Sequence, residues 1–236
     1  MPLSHFKFYN DIGEWFFMDK MGHVFSTFLL SDLHFNLYNK LCAESPHTLP
    51  PEMKAFFLAN ATMLIMEILD GFGKSWGFSI PDVISNTLGG VLWLFSKNLS
   101  HSIIINPAFS YNDSKEWRLR PQVLGNSLPL RIFKNYNGQT YWLKIGKRGW
   151  LPAIAIGYSV KNVTGAISNP LPYNNLNRTF EVFISPDISY EEIKTSSVLV
   201  KKIFNVFKYI KTPLPALEIT RNTGQKIVLS FRILYF

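Results

Sequence analysis

The chain has 236 residues, of which 47% are hydrophobic and 17% are charged, whereas a typical soluble domain has about 25% charged residues. This length and composition can support a hydrophobic core and exclude an intrinsically disordered chain. The shortage of charge points toward a membrane or a large partner. The single cysteine, Cys42, excludes an internal disulfide framework and a cysteine-rich metal site.

The net charge of +8 is divided unequally along the chain. Residues 1–100 have a net charge of −3, and residues 101–236 have a net charge of +11. Such asymmetry is typical of two modules, of which the basic one binds phosphate in nucleic acid or in anionic lipid. No nucleic-acid-binding motif accompanies the charge, so we predict an anionic lipid surface as partner and no nucleic acid.

The first module, residues 1–100, is predicted to be a bundle of about three helices. Apolar residues recur at helical spacing in residues 14–41 and again in residues 52–70. Ser79 and Asp82 have the spacing of a capping box and precede an apolar run that extends to Phe95, which predicts the third helix. No run of 18 apolar residues is present, so a conventional membrane-spanning helix is not expected. The first residues also lack the features of a secretory leader.

The second module, residues 101–236, consists of short segments rich in β-branched and aromatic residues, separated by Gly, Pro and Asn. This pattern is typical of antiparallel strands joined by turns. The predicted fold class is α+β, with the helical bundle followed by an antiparallel β-sheet or partial barrel that includes one amphipathic helix. The strands are predicted at 102–110, 139–146, 152–160, 178–187, 215–222 and 226–236.

The amphipathic helix is predicted at residues 189–211, with apolar side chains on one side and lysines around the other. Two interpretations remain open for it. The helix could lie in a membrane interface, where each lysine near an anionic surface contributes roughly 1 kcal/mol, or it could pack across the sheet with solvated lysines. The candidate membrane-binding residues are Lys194, Lys201, Lys202, Lys208 and Lys211.

A candidate polar cluster is predicted from pairs of residues that share one helix face. The pairs are Asp19 with His23, Glu67 with Asp70, and Asp82 with Asn86. If the three faces meet inside the bundle, their carboxylates would titrate abnormally or hold a divalent ion. A structural role is the other interpretation, because capping, a helix end and a buried hydrogen bond each explain part of the set. No catalytic motif with a specific spacing is present.

The helical module resembles the DUF2279 family of bacterial envelope proteins. The order and spacing of five segments carry this resemblance: 8–15, 18–23, 67–72, 76–79 and 82–89. The chain looks most like the longer members from Bacteroidota, in which a β-rich segment similar to residues 136–143 follows. The pattern Asp-Lys-x-x-His, Glu-x-x-Asp, Ser-x-x-Asp-x-x-x-Asn-x-x-Gly is also similar to that of VanZ-like membrane proteins.

The resemblance implies a location more than an activity. Family members are periplasmic or outer-membrane proteins, often lipoproteins, although this sequence has no N-terminal Cys for lipidation. The long members imply an association with an envelope secretion complex such as the type IX system.

We therefore predict a non-enzymatic binding or assembly subunit at the periplasmic face of the outer membrane. Its predicted partners are the lipid or lipopolysaccharide surface and other envelope proteins, without a cofactor or a metal. The alternative is a metal- or acid/base-dependent hydrolase of an envelope lipid or glycan, with its site in the polar cluster.

Overall fold

A computed structural model describes residues 4–41, 49–74, 76–99, 101–222 and 227–235, and Cys42 lies outside these ranges. The chain divides into a helical unit, Met1–Gly13 with Asp19–Asn98, and a sheet unit, Glu14–Met18 with Leu99–Phe236. Helices come first and are followed by an antiparallel sheet. The predicted α+β fold class is therefore confirmed.

The described residues of the helical unit form three long helices: α1 (Met18–Leu41), α2 (Pro51–Gly71) and α3 (Ile80–Leu99). Helix α2 begins at Pro51, whose fixed φ suits the first helical position. The backbone N–H of Asp82 donates to the Ser79 hydroxyl over 3.1 Å, so this hydroxyl caps the start of α3 as the sequence predicts.

Two adjacent glycines allow α3 to approach the backbone of α1 and the side chains of α2 closely. A Cβ atom at Gly89 would clash with the carbonyl oxygen of Val24 on α1. A Cβ atom at Gly90 would lie 2.6 Å from the side-chain nitrogen of Asn60 on α2. Side chains at these two positions would therefore separate the helices, and glycine permits the close approach.

The helical unit buries polar side chains between its helices and exposes many apolar ones. Thr27 and Ser31 of α1 and Asn86 of α3 are buried. The exposed side of α3 is a stripe of large apolar residues, namely Ile80, Ile84, Leu88, Val91 and Phe95. Phe28 and Trp93 are buried as well, so the unit differs from an ordinary helical bundle in the polar side chains it buries and the apolar stripe it exposes.

In the part of the chain that the structure describes, six strands form one open antiparallel sheet in sequential order. They are β1 (Ile103–Tyr111), β2 (Gln139–Lys147), β3 (Pro152–Lys161), β4 (Thr179–Ile188), β5 (Leu214–Asn222) and β6 (Ile227–Tyr235). Each strand lies within one residue of its predicted range. A core of Ala108, Trp142, Ala155, Phe183 and Ala216 lies on one face of the sheet.

Two short helices between β1 and β2 were not predicted from the sequence. The additional helices are α4 (Pro121–Leu124) and α5 (Leu128–Lys134).

Helix α6 spans only Val198–Phe207, so the predicted range of 189–211 is wrong at both ends. The Ser197 hydroxyl caps α6 by accepting from the Val200 N–H, and a separate 3-10 turn occupies Tyr190–Glu192.

The segment Glu14–Phe17 was predicted to be the start of the first helix but has another conformation. Trp15, Phe16 and Phe17 have φ angles of 51°, 52° and 63°, in the left-handed region, so the α-helix begins only at Met18. The Trp15 N–H donates to the carbonyl of Ala166 over 2.8 Å. This contact ties the segment to the sheet unit.

Candidate functional site

The helix ends of the helical unit position most of the predicted polar cluster. Asp19 and His23 lie in the first turns of α1, Glu67 lies near the end of α2, and Asp82 and Asn86 lie in the first turns of α3. The structure brings these five side chains together around the imidazole of His23. We call this set, with Asp11 and Lys20 described below, the acidic cluster.

His23 lies between two carboxyl groups that come from different helices. Its Nε2 atom is 3.4 Å from Asp82 Oδ1, and its Nδ1 atom is 3.6 Å from Glu67 Oε1. The Nδ1 atom also lies 3.0 Å from Asn86 Oδ1, while Asp19 Oδ2 is 4.0 Å from Nε2. A proton on either ring nitrogen therefore faces an oxygen acceptor.

Lys20 and Asp11 complete the acidic cluster, and helical spacing predicted neither of them. The Lys20 ammonium, on a side chain that is 9% exposed, lies 2.7 Å from Asp11 Oδ1 and 2.9 Å from Asp19 Oδ2. It also donates a short hydrogen bond to Asp82 Oδ1. The Ser79 hydroxyl donates to Asp11 Oδ1 over 2.7 Å and thereby holds the N-terminal segment against the start of α3.

Burial raises the pKa of the carboxyl groups at the centre of the cluster. Burial and the charge of Asp82 raise the pKa of Glu67 to about 7, and burial raises the pKa of Asp82 to about 6. The pKa of Asp70 is also raised by burial, and His23 and Asp19 affect it in opposite directions. Burial alone would lower the pKa of Lys20, but the carboxylates around it raise that pKa above its ordinary range.

Asp19, His23 and Asp82 could in principle ligate a metal, because one ligand atom from each lies within 4.8 Å of the others. Zinc ligands at about 2.0 Å from the metal stand roughly 3.3 Å apart, which is near the separation of His23 from Asp82. However, the Lys20 ammonium bonds to the oxygens of both Asp19 and Asp82. It already supplies positive charge there, so the arrangement suits proton transfer better than a metal.

The five lysines predicted to bind membrane do not share one helix face. Lys201 and Lys202 lie on α6 and are exposed, whereas Lys208 follows its last residue and Lys194 precedes its first. Lys211 is 2% exposed. The prediction that Lys211 lies on the surface is therefore wrong. Its ammonium is 3.4 Å from Asp187 Oδ2 inside the sheet unit.

The helical unit is thus a three-helix bundle with a buried acidic cluster where its helix ends meet. Residues 9–97 match the model of the DUF2279 family, which is described as a predicted periplasmic lipoprotein. The resemblance to DUF2279 is therefore confirmed over that range. The description is consistent with a place in the bacterial envelope, whereas the likeness to VanZ-like proteins and to Bacteroidota members stays a prediction.

No curated protein and no solved structure matches the chain. Among the described residues, no helix combines the length and the apolar character that are needed to cross a bilayer.

Proposed function

We propose that the protein is a non-enzymatic binding or assembly subunit attached to the periplasmic face of the outer membrane. The observation that carries this proposal is that α6, although amphipathic, has none of its ten residues buried. A helix that packs across a sheet buries its apolar side. The exposed apolar side of α6 therefore favours the interfacial interpretation over the packed one.

The exposed side of α6 has both features of an interfacial helix. The side chains of Val198, Leu199 and Val206 are 70%, 68% and 60% exposed. Lys201 and Lys202 are exposed on the same helix. Apolar side chains that enter the acyl boundary, with lysines at the headgroups, are typical of helices that lie in the membrane surface.

Both terms of the interaction favour binding to a bilayer, and the lysines favour an anionic one. Apolar burial contributes about 25 cal/mol per Å², and each lysine near an anionic surface adds roughly 1 kcal/mol. Residues 101–236 also have a net charge of +11, which attracts an anionic surface over a longer range. The association with a secretion complex such as the type IX system stays a prediction from the resemblance.

Cosedimentation with vesicles tests α6 as the attachment element. The purified full chain is expected to sediment with vesicles that contain phosphatidylglycerol and much less with pure phosphatidylcholine. Lys201→Glu with Lys202→Glu, and separately Leu199→Ser with Val206→Ser, should each weaken binding several-fold. Lys115→Glu, which alters an exposed lysine outside α6, is the matched control. Unchanged binding of both double variants would contradict the proposal.

Cell fractionation tests the location. The protein is expected in the outer-membrane fraction. Recovery wholly in the soluble periplasm or cytosol would contradict the outer-membrane part of the proposal.

An acid/base hydrolase is the second candidate, and one observation favours it. His23 contacts Glu67 and Asp82 through different ring nitrogens, and burial raises the pKa of both carboxyl groups toward neutrality. Such an arrangement can store and transfer a proton at neutral pH. Since His23 and Asp19 are only half-buried, an envelope lipid or glycan could approach the imidazole from that side.

His23→Gln separates the two candidates. For an assembly subunit, we expect a loss of about 1–2 kcal/mol of stability, unchanged bound metal and retained partner proteins in detergent extracts. A wild-type protein with a stoichiometric divalent ion that this variant loses without unfolding would favour the hydrolase instead.

A further inference from the structure

The outer face of the sheet carries a continuous patch of apolar side chains across five strands. Direct pairing joins Leu143 to Ile156, Ile156 to Ile184, Ile184 to Leu217 and Leu217 to Phe231. We call the patch the apolar band; its members are Leu143, Ile145, Ile154, Ile156, Ile184, Leu217 and Phe231. All of them except Leu143 are at least 39% exposed.

The opposite face of the same strands buries charge. Lys144, Glu181, Asp187 and Glu218 are each at most 4% exposed. Asp187 lies 3.3 Å from the Lys144 ammonium and pairs with Lys211 as well. The other two acidic residues form ion pairs with Lys161 and Arg232.

The outer face of these strands therefore differs from that of a sheet that meets water, while the inner face holds its buried charges beside the apolar core of Trp142 and Phe183. In a half-solvated antiparallel sheet, apolar residues point to the core and polar residues point outward. Here the alternation along β2 places Lys144 inside and its neighbours Leu143 and Ile145 outside. Because exposed aliphatic side chains gain free energy when they leave water, the outer face is most favourable where an apolar surface covers it.

We propose that the apolar band contacts the acyl chains of an anionic bilayer. This inference rests on the proposed attachment to the membrane and adds a second contact surface to α6. The side chains of the band contain no hydrogen-bonding atom, whereas a protein interface has about one hydrogen bond per 100–200 Å². A second copy of the chain is disfavoured as the partner of the band, because residues 101–236 have a net charge of +11 and two such modules would repel each other.

The backbone of the band is also suited to a lipid environment. Unpaired N–H and C=O groups are costly in hydrocarbon. Six of the seven band residues lie on β2, β3, β4 and β5, each of which pairs with a strand on both sides. Their backbone groups are therefore used within the sheet, and aliphatic side chains form its outward surface.

An environment-sensitive fluorophore on the band tests this inference. The dye NBD is attached to Ile156→Cys in the full chain with Cys42→Ser, and to Ile184→Cys as a second band position. Lys115→Cys, outside the sheet, is the matched control. On phosphatidylglycerol vesicles, both band labels should shift to the blue and be quenched by lipids that carry a nitroxide on the acyl chain. The control label should remain unquenched. Circular dichroism verifies that each labelled variant is folded.

Sedimentation in the same samples distinguishes the two proposals. If the protein sediments with vesicles but neither band label is quenched, the band does not contact lipid and the attachment by α6 still stands. If the protein does not sediment, both proposals fail. A blue shift that grows with protein concentration in the absence of vesicles would overturn the inference in favour of a second copy.

Discussion

Glu67, at the centre of the acidic cluster, makes stability depend on pH. Its folded-state pKa of about 7 exceeds the ordinary value of 4.5, so the folded protein binds more protons than the unfolded chain between these values. Stability therefore falls as pH rises through that window and levels off above it. We predict that Glu67→Gln reduces the loss of melting temperature between about pH 5 and pH 8.

Glu52→Gln is the control for this prediction. It makes the same change in the first turn of α2, about 22 Å along the helix from Glu67 at 1.5 Å per residue. We expect it to leave the pH dependence unchanged. Equal pH dependence of the wild type and Glu67→Gln would mean that this carboxyl group does not hold a proton in the folded state.

The acidic cluster could be predicted from sequence only where helical periodicity applies. The shared faces of Asp19 with His23 and of Asp82 with Asn86 follow from their spacing. Asp11 could not be found in this way, because it lies in a non-helical segment that Ser79 holds in place. Helical spacing therefore predicts the carboxylates on α1 and α3 but not the contacts by which Asp11 and Lys20 complete the cluster.

At the scale of elements, Gly89 fixes the distance between α1 and α3. An added methyl group would clash with the backbone carbonyl of Val24, which cannot move aside as a flexible side chain can. We predict that Gly89→Ala destabilises the protein by about 1–3 kcal/mol, as overpacking does elsewhere. Thermal or urea unfolding measures this loss.

Leu88→Ala is the neighbouring control for Gly89→Ala. Because Leu88 is 55% exposed on α3, its truncation should cost well under the loss caused by Gly89→Ala. A gain of stability in Gly89→Ala would mean that the higher helix propensity of alanine outweighs close packing in this part of α3.

The limits of sequence reasoning differ between strands and helices. The six strands were predicted closely because Gly, Pro and Asn interrupt the alternating pattern at each turn. The range 189–211 was too long because apolar and basic residues continue at helical spacing beyond α6. There, tertiary contacts such as the buried pair of Lys211 with Asp187 determine the conformation. Likewise, the positive φ angles of Trp15, Phe16 and Phe17 could not be predicted, because bulky aromatic residues rarely adopt the left-handed region.

For the whole molecule, the separation of charge between the two modules predicts how salt affects membrane binding. The Debye length falls from about 10 Å at 0.1 M salt to about 3 Å at 1 M, so attraction by the basic module weakens while apolar burial persists. We predict that raising NaCl over this range lowers binding of the full chain to phosphatidylglycerol vesicles several-fold and leaves a residual fraction bound. Cosedimentation measures both fractions, and complete release at high salt would show that apolar contact contributes nothing.

The apolar band also bears on how the protein reaches its final place. Before the chain reaches a bilayer, the six exposed side chains of the band form an apolar surface on which newly made chains can aggregate. If the band binds lipid as proposed, the newly made chain needs to reach the bilayer or bind a chaperone before it aggregates. Without a holding chaperone, overproduction should yield insoluble deposits before it yields additional folded protein.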